Sequence, residues 1–141
     1  MLMTKLGEGG PMAIAAMALR AQQARMRIIA ENIANSQTTA ATPGGDPYRR
    51  QMPIFAPLKL EDGSVSVQLV RTEPDPTAFK KEYSPGHPAA DPSGYVTLSN
   101  VETLVESLDF KAAQRAYEAN LNVIDTSHAM EQSTMRLLQS K

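Results

Sequence analysis

No cysteine occurs in these 141 residues. Disulfide frameworks, thiolate zinc sites and cysteine nucleophiles are thereby excluded. The absence also suits a chain that must cross a membrane unfolded without mispairing. Charge of one sign is lacking as well, since the formal net charge is -1. Basic residues come in pairs at most, Arg49-Arg50 and Lys80-Lys81, with few aromatics beside them. Nucleic-acid readers carry a basic stripe or stacking aromatics, so no nucleic-acid partner is expected. Apolar runs are short. None approaches the roughly 18–20 residues that span a bilayer, so no transmembrane segment is expected. The run Met12–Leu19, with Lys5 before it, superficially resembles the apolar core of a signal peptide. Glu8 and Gly9-Gly10 separate the charge from the run, and the apolar pattern continues beyond it at helical spacing. It therefore reads as the start of an amphipathic helix.

Catalytic and cofactor chemistry is also missing. Ser84, His87 and Asp91 are the residue types of a hydrolase triad, but they share one proline-rich turn. Triad members converge from separate elements. His87 and His128 are the only histidines and lie in different segments. That is too few nitrogen ligands for a zinc site. Gly7, Gly9 and Gly10 precede no lysine–serine pair, so no phosphate-cradling loop is present. The aspartates Asp46, Asp62, Asp75 and Asp91 show no calcium-loop spacing. No enzyme activity, metal or cofactor is expected.

Proline and glycine are present but confined. Neither occurs between Pro11 and Pro43, nor from Tyr95 to Lys141, and nine of the ten prolines lie between Pro43 and Pro92. Two helix-competent segments thus enclose a punctuated middle. Residues 1–10, with three glycines, read as a flexible leader. The first helix is expected over 11–36, opened by Pro11, which suits a first helical position. Ile14, Met17, Ala21, Ala24 and Ile28 follow at steps of three and four and form one stripe. Arg20, Gln23, Arg27 and Glu31 face elsewhere. The second helix is expected over 100–141, with Ser99 and Glu102 at capping-box spacing and Asn100 as an alternative cap. Its stripe runs Leu104, Leu108, Ala112, Ala116, Ala119, Val123, Thr126, Met130, Leu137. About forty residues make roughly 60 Å of helix. The first helix covers only part of that length, so the remainder must meet partners or solvent.

Between the helices, residues 37–99 read as a linker and a small β region. Thr38–Pro47 is a Thr/Ala/Gly/Pro linker, expected to let the stem and the β region take an angle set by neighbours. Tyr48–Leu58 carries Pro53 and Pro57, which mark an edge strand. Glu61–Ser64 is a turn, and Val65–Leu69 alternates strictly. Ala78–Tyr83 and Tyr95–Leu98 are short strands around a turn-dense Ser84–Gly94. The fold class is therefore α+β: long terminal helices packed as a coiled-coil-like stem, pairing 11–36 with 100–141, with an inserted β region. Helices of this kind can pair with each other and with neighbouring copies, which reads as an assembly protein. The bare pattern also permits a soluble helical adaptor or export chaperone that binds one partner helix.

Four stretches carry a resemblance. Ala30-Glu31-Asn32-Ile33-Ala34-Asn35-Ser36-Gln37-Thr38 resembles the N-terminal signature of the bacterial flagellar rod and hook proteins. Pro85-Gly86-His87-Pro88-Ala89-Ala90-Asp91, then Gly94-Tyr95-Val96 and Asn100-Val101, resembles a narrower, rod-specific stretch of that family, as does Gly44–Arg50. Arg115-Ala116-Tyr117-Glu118-Ala119-Asn120 is similar to its C-terminal helix signature. The resemblance implies a structural subunit of the proximal rod of the flagellar basal body, in the periplasm. It implies export by the flagellar type III apparatus without a cleaved signal peptide. Its implied partners are copies of itself, other flagellar rod proteins and the export apparatus. Another rod protein of the same family is the rival within that class.

Overall fold

The computed structural model describes residues 10–139, and the leader expected over 1–10 lies outside it except for Gly10. The chain is α+β. Its elements are α1 (Pro11–Ala34), β1 (Gln51–Lys59), β2 (Val65–Pro74), β3 (Lys80–Tyr83), β4 (Tyr95–Leu98) and α2 (Thr103–Gln139). Helix α1 is the central layer. It packs against α2 and against the β1–β2 hairpin, and the backbones of α2 and the hairpin stay apart on either side of it. Its buried residues are Ala15, Ala21, Ile28, Ile29 and Asn32. Ile28 and Ile29 each contribute roughly 1.5–3 kcal/mol by burial.

The ends of α1 follow from local chemistry. Pro11 occupies the first turn as expected, after Gly10 at φ 98°. The helix stops at Ala34, two residues short of the expected 36. Asn35 Nδ2 donates to Glu31 O at 2.8 Å, Ser36 Oγ to Ile33 O at 2.8 Å and Thr38 Oγ1 to Asn35 O at 2.7 Å. Short polar side chains thus satisfy the last carbonyls and divert the backbone.

Strands β1 and β2 pair antiparallel, from Gln51 opposite Pro74 to Lys59 opposite Val65, with a bulge between Ile54 and Phe55. The β2 strand runs five residues beyond the alternating stretch, to Pro74. The hairpin lies along α1 and so borrows a core that its own side chains could not supply. At its tip, Asp62 Oδ1 accepts from Ser64 N and Oγ, and Asp62 Oδ2 accepts from Gly10 N at 2.9 Å. Ser66 Oγ donates to Ile14 O at 3.4 Å. These contacts seat the first hairpin on α1 within the chain itself.

The backbone of the second hairpin, β3–β4, does not approach either helix closely, and Lys80 of β3 pairs with Glu102 just before α2 at 2.5 Å. The linker also holds it, through a bridge between Thr39 and Leu98 and a Gly44 N–H bond to Ala89 O at 3.5 Å. Tyr83 and Tyr95 meet edge to face with ring centroids 5.2 Å apart. Gly94 beneath them has φ 83°, and a Cβ there would come within 2.9 Å of the Tyr83 ring. Only glycine meets both demands.

Helix α2 begins at Thr103, not at Asn100, and Glu102 O receives its first bond, from Glu106 N. Ser99 Oγ accepts from Val101 N at 3.3 Å, so it does not cap the helix. The α2 side chains shielded by α1 centre on Glu106, Phe110, Ala113, Tyr117, Asn120, Ile124 and Ser127. Those positions alternate steps of four and three, a heptad seam. From His128 to Gln139 every residue is exposed.

Candidate functional site

The family of polar side chains at the head of the helix pair forms the most constrained site in the molecule. Asn32, near the end of α1, is 1 % exposed. Its Nδ2 donates to Gln51 O at 2.9 Å and to Glu106 Oε2 at 3.0 Å. Its Oδ1 accepts from Tyr48 OH and from Gln51 N, both at 2.9 Å. All four hydrogen-bonding positions of that amide are thus used. Glu106, in the first turns of α2, is fully buried. Its Oε1 accepts from Arg50 Nε at 2.5 Å, and Arg50 Nη1 reaches Asp75 Oδ2 at 3.1 Å. A buried carboxylate is tolerated only when paired and hydrogen-bonded, as this one is.

Asn100 extends the network to the segment entering α2. Its Oδ1 accepts from Arg50 N at 2.7 Å, and its Nδ2 donates to Thr77 O at 3.0 Å and Asp75 O at 3.3 Å. This explains why Asn100 does not cap α2: its amide is already engaged. Arg49 donates to the same two carbonyls, and its guanidinium lies 4.0 Å above the Phe79 ring. The site therefore joins α1, the entry to β1, the exit from β2 and the start of α2.

The electrostatics follow from this enclosure. Burial pushes the Tyr48 hydroxyl above its ordinary value, reinforced by the charges of Glu31 and Glu106. Burial alone would lower the Arg50 guanidinium, but the hydrogen bonds and charges of Glu106 and then Asp75 outweigh it and raise it. Hydrogen bonds from Thr77, side chain and backbone, hold the Asp75 carboxyl low, aided by Arg50. Beside the joint lies a cleft of about 380 Å³ whose walls include Ile29, Met52, Pro53, Phe55 and the surface pair Arg25–Asp109. No side chain here is poised as a nucleophile or base, and no cluster among the described residues could hold a metal ion.

The sequence-derived residues divide between buried and open positions. Ala21 and Ile28 are buried, and Ile14, Met17 and Ala24 are half-buried. On α2 the expected stripe fares differently. Ala116 is half-buried, but Leu108, Ala112, Ala119, Val123 and Met130 are exposed. That stripe is not the face turned to α1, because the face turned to α1 includes Glu106, Asn120 and Ser127, which no search for apolar residues selects. Of the motif residues, Asn32, Gly94, Val96 and Asn100 are buried. Asn35, His87, Asp91, Tyr117 and Asn120 are half-buried, and Ala34, Pro85, Gly86, Pro88 and Tyr95 are exposed. His87 stays within its turn: its N–H donates to Ser84 O at 3.0 Å and its Nδ1 accepts from Ala89 N at 3.0 Å. Asp91 Oδ1 accepts from Ser93 N and Tyr95 N, so Asp91 orients the turn and not the imidazole. Sequence reasoning missed Arg50 and Glu106. The signal available was the Arg49-Arg50 pair beside Tyr48, which bears on nucleic acid only when it is part of a longer basic stripe.

Comparison with known proteins gives concordant matches. The pattern of the flagellar basal body rod FlgEFG protein C-terminal family matches residues 93–137. The chain is 42% identical over 128 residues to the flagellar basal-body rod protein FlgC of Agrobacterium fabrum, covering 90% of this chain and 92% of the relative. It is 39% identical to FlgC of Borreliella burgdorferi, covering 89% and 94%. It is 36% identical to FlgC of Salmonella typhimurium over the same shares. The chain belongs to the FlgC family of flagellar basal-body rod proteins.

Proposed function

We propose that this member of the FlgC family is a structural, non-catalytic subunit of the proximal flagellar rod, assembling with copies of itself and with other rod proteins. The observation that carries the reading is the open apolar stripe on α2. Leu104, Leu108, Val123 and Met130 are 68%, 59%, 42% and 66% exposed, while the opposite face of the same helix is packed on α1. Aligned large apolar side chains left in water mark an interaction surface. A contact between this stripe and a different surface of the next copy is heterologous, and where its rotation does not close it generates a tube or filament. In such a rod each subunit transmits torque through many modest interfaces in parallel, around a channel through which axial proteins pass. The periplasm is the compartment of that rod, and the flagellar type III apparatus is the export route, without a cleaved signal peptide.

The test is a double substitution on the stripe, Leu108→Lys with Val123→Lys. Both positions are exposed, so helix content and melting of the purified chain should stay near the parent's. Cells carrying the variant should make the protein but not swim, and their purified basal bodies should lack it. Normal swimming would overturn the proposal that this stripe is an assembly surface.

A further inference from the structure

The heptad seam of α2 does not by itself fix how far the two helices overlap. Phe110, Tyr117 and Ile124 recur every seven residues, with Ala113 and Asn120 between them. A slide of one heptad, about 10.5 Å at 1.5 Å per residue, sets large beside large and small beside small again. Of the buried residues of α1, Ala15, Ala21, Ile28 and Ile29 are apolar and make no directional side-chain bond, so Asn32 is the one that ties this face to a particular partner. Glu106 breaks the repeat. It is fully buried, and it is bonded across the helix pair to Asn32 and sideways to Arg50. Sliding α2 by seven residues would leave the Glu106 carboxylate, one N–H of Asn32 and the Arg50 guanidinium without those partners. A single buried polar contact in a repetitive helical seam is the best-attested way to select one register.

We infer that the Asn32–Glu106–Arg50 cluster is a register pin, whose role is to fix the axial overlap of α1 and α2. The pin thereby sets how much of α2 extends past its partner, the exposed stretch His128–Gln139, about 18 Å of helix. The consequence for rod geometry rests on the assembly proposed above, whereas the pin itself does not.

The cysteine-free chain makes the register directly readable by a short thiol-reactive crosslinker. Arg25 and Asp109 approach to 3.8 Å across the helices, so R25C/D109C reports the native overlap. R25C/A116C and A18C/D109C report slides of one heptad in the two directions. In the chain with an intact joint, only the native pair should crosslink within one molecule. In the apolar background N32L/R50M/E106L, helix content by circular dichroism should persist and the slipped pairs should rise from background to yields comparable with the native pair. Glu106→Gln keeps a carbonyl oxygen for Asn32 and should keep the native pair alone. Native crosslinking alone in the apolar background would overturn the inference, as would slipped crosslinks with the joint intact. Loss of helix content in the apolar background would assign the cluster to folding instead of register, and slippage in Glu106→Gln would remove the Asn32 bond as its basis.

Discussion

The two helices carry apolar stripes of the same spacing and meet different fates. Helix α1 is enclosed, with α2 and the first hairpin both packed on it, and five of its residues are buried. Among the described elements α2 packs on α1, and of its own residues Glu106 and Ala113 are buried. A stripe at helical period therefore reports that some surface must be covered. It does not report whether the cover comes from the same chain. In α1 the stripe builds the monomer, and in α2 the most apolar face is left for something else.

That contrast can be broken or sharpened by paired substitutions. The largest effect on the isolated chain is expected at Ile28, which is 2 % exposed. Ile28→Ala should cost about 2–5 kcal/mol by lost burial and a residual cavity, read as a lower midpoint in denaturant. Met130→Ala, at 66% exposure on α2, should change that midpoint by less than about 0.5 kcal/mol. Equal losses from the two would erase the distinction between the helices.

A smaller effect is expected from added bulk. Ala21, 4 % exposed, sits against α1's neighbours, and Ala21→Leu should cost about 1–3 kcal/mol by overpacking. Ala119 is exposed, so Ala119→Leu should leave the melting of the purified chain near the parent's. Both variants should nonetheless impair swimming. Normal motility with Ala119→Leu would show that this part of α2 meets no packed neighbour.

The smallest effect concerns pH. The folded chain holds the Asp75 carboxyl below its ordinary 3.8, so folding favours the ionised form. Its contribution is fully present above that value and is lost as the pH falls through the lower folded value. Asp75→Asn should therefore lower the melting temperature at pH 7, and the gap from the parent should close as the solution is taken below pH 4. A gap that stays constant across that range would show that the charge of Asp75 contributes nothing to the joint.

Much of the architecture was legible from the sequence because it rests on local chemistry. Pro11 opening a helix, the polar side chains after Ala34 closing it and the strict alternation of Val65–Leu69 all act within a few residues. The joint was not legible, since it depends on contacts across 56 and 74 positions of chain. A glutamate in a first helical turn ordinarily faces water, and nothing near Glu106 announces that Asn32 and Arg50 will arrive to neutralise its burial. The capping box at Ser99 misled for a related reason: the tertiary network had already engaged Asn100, and the helix began one turn later. Gly94 stood within a recognisable motif, but the reason for it, the Tyr83 ring lying where a Cβ would go, exists only after β3 and β4 have paired.

The molecule has a sealed end and an open end. At one, the amide of Asn32 and the carboxylate of Glu106 close the helix pair on itself and leave no hydrogen-bonding group of Asn32 to share. At the other, the last turns of α2 expose Met130, Met135 and Leu138. A body built this way has a head and a tail, so copies laid end to end acquire a direction from the chain itself. In the assembly proposed above, growth at one end would present the next subunit with a surface unlike the one at the other, and the polarity of the stack would be inherited from the polarity of a single pair of helices.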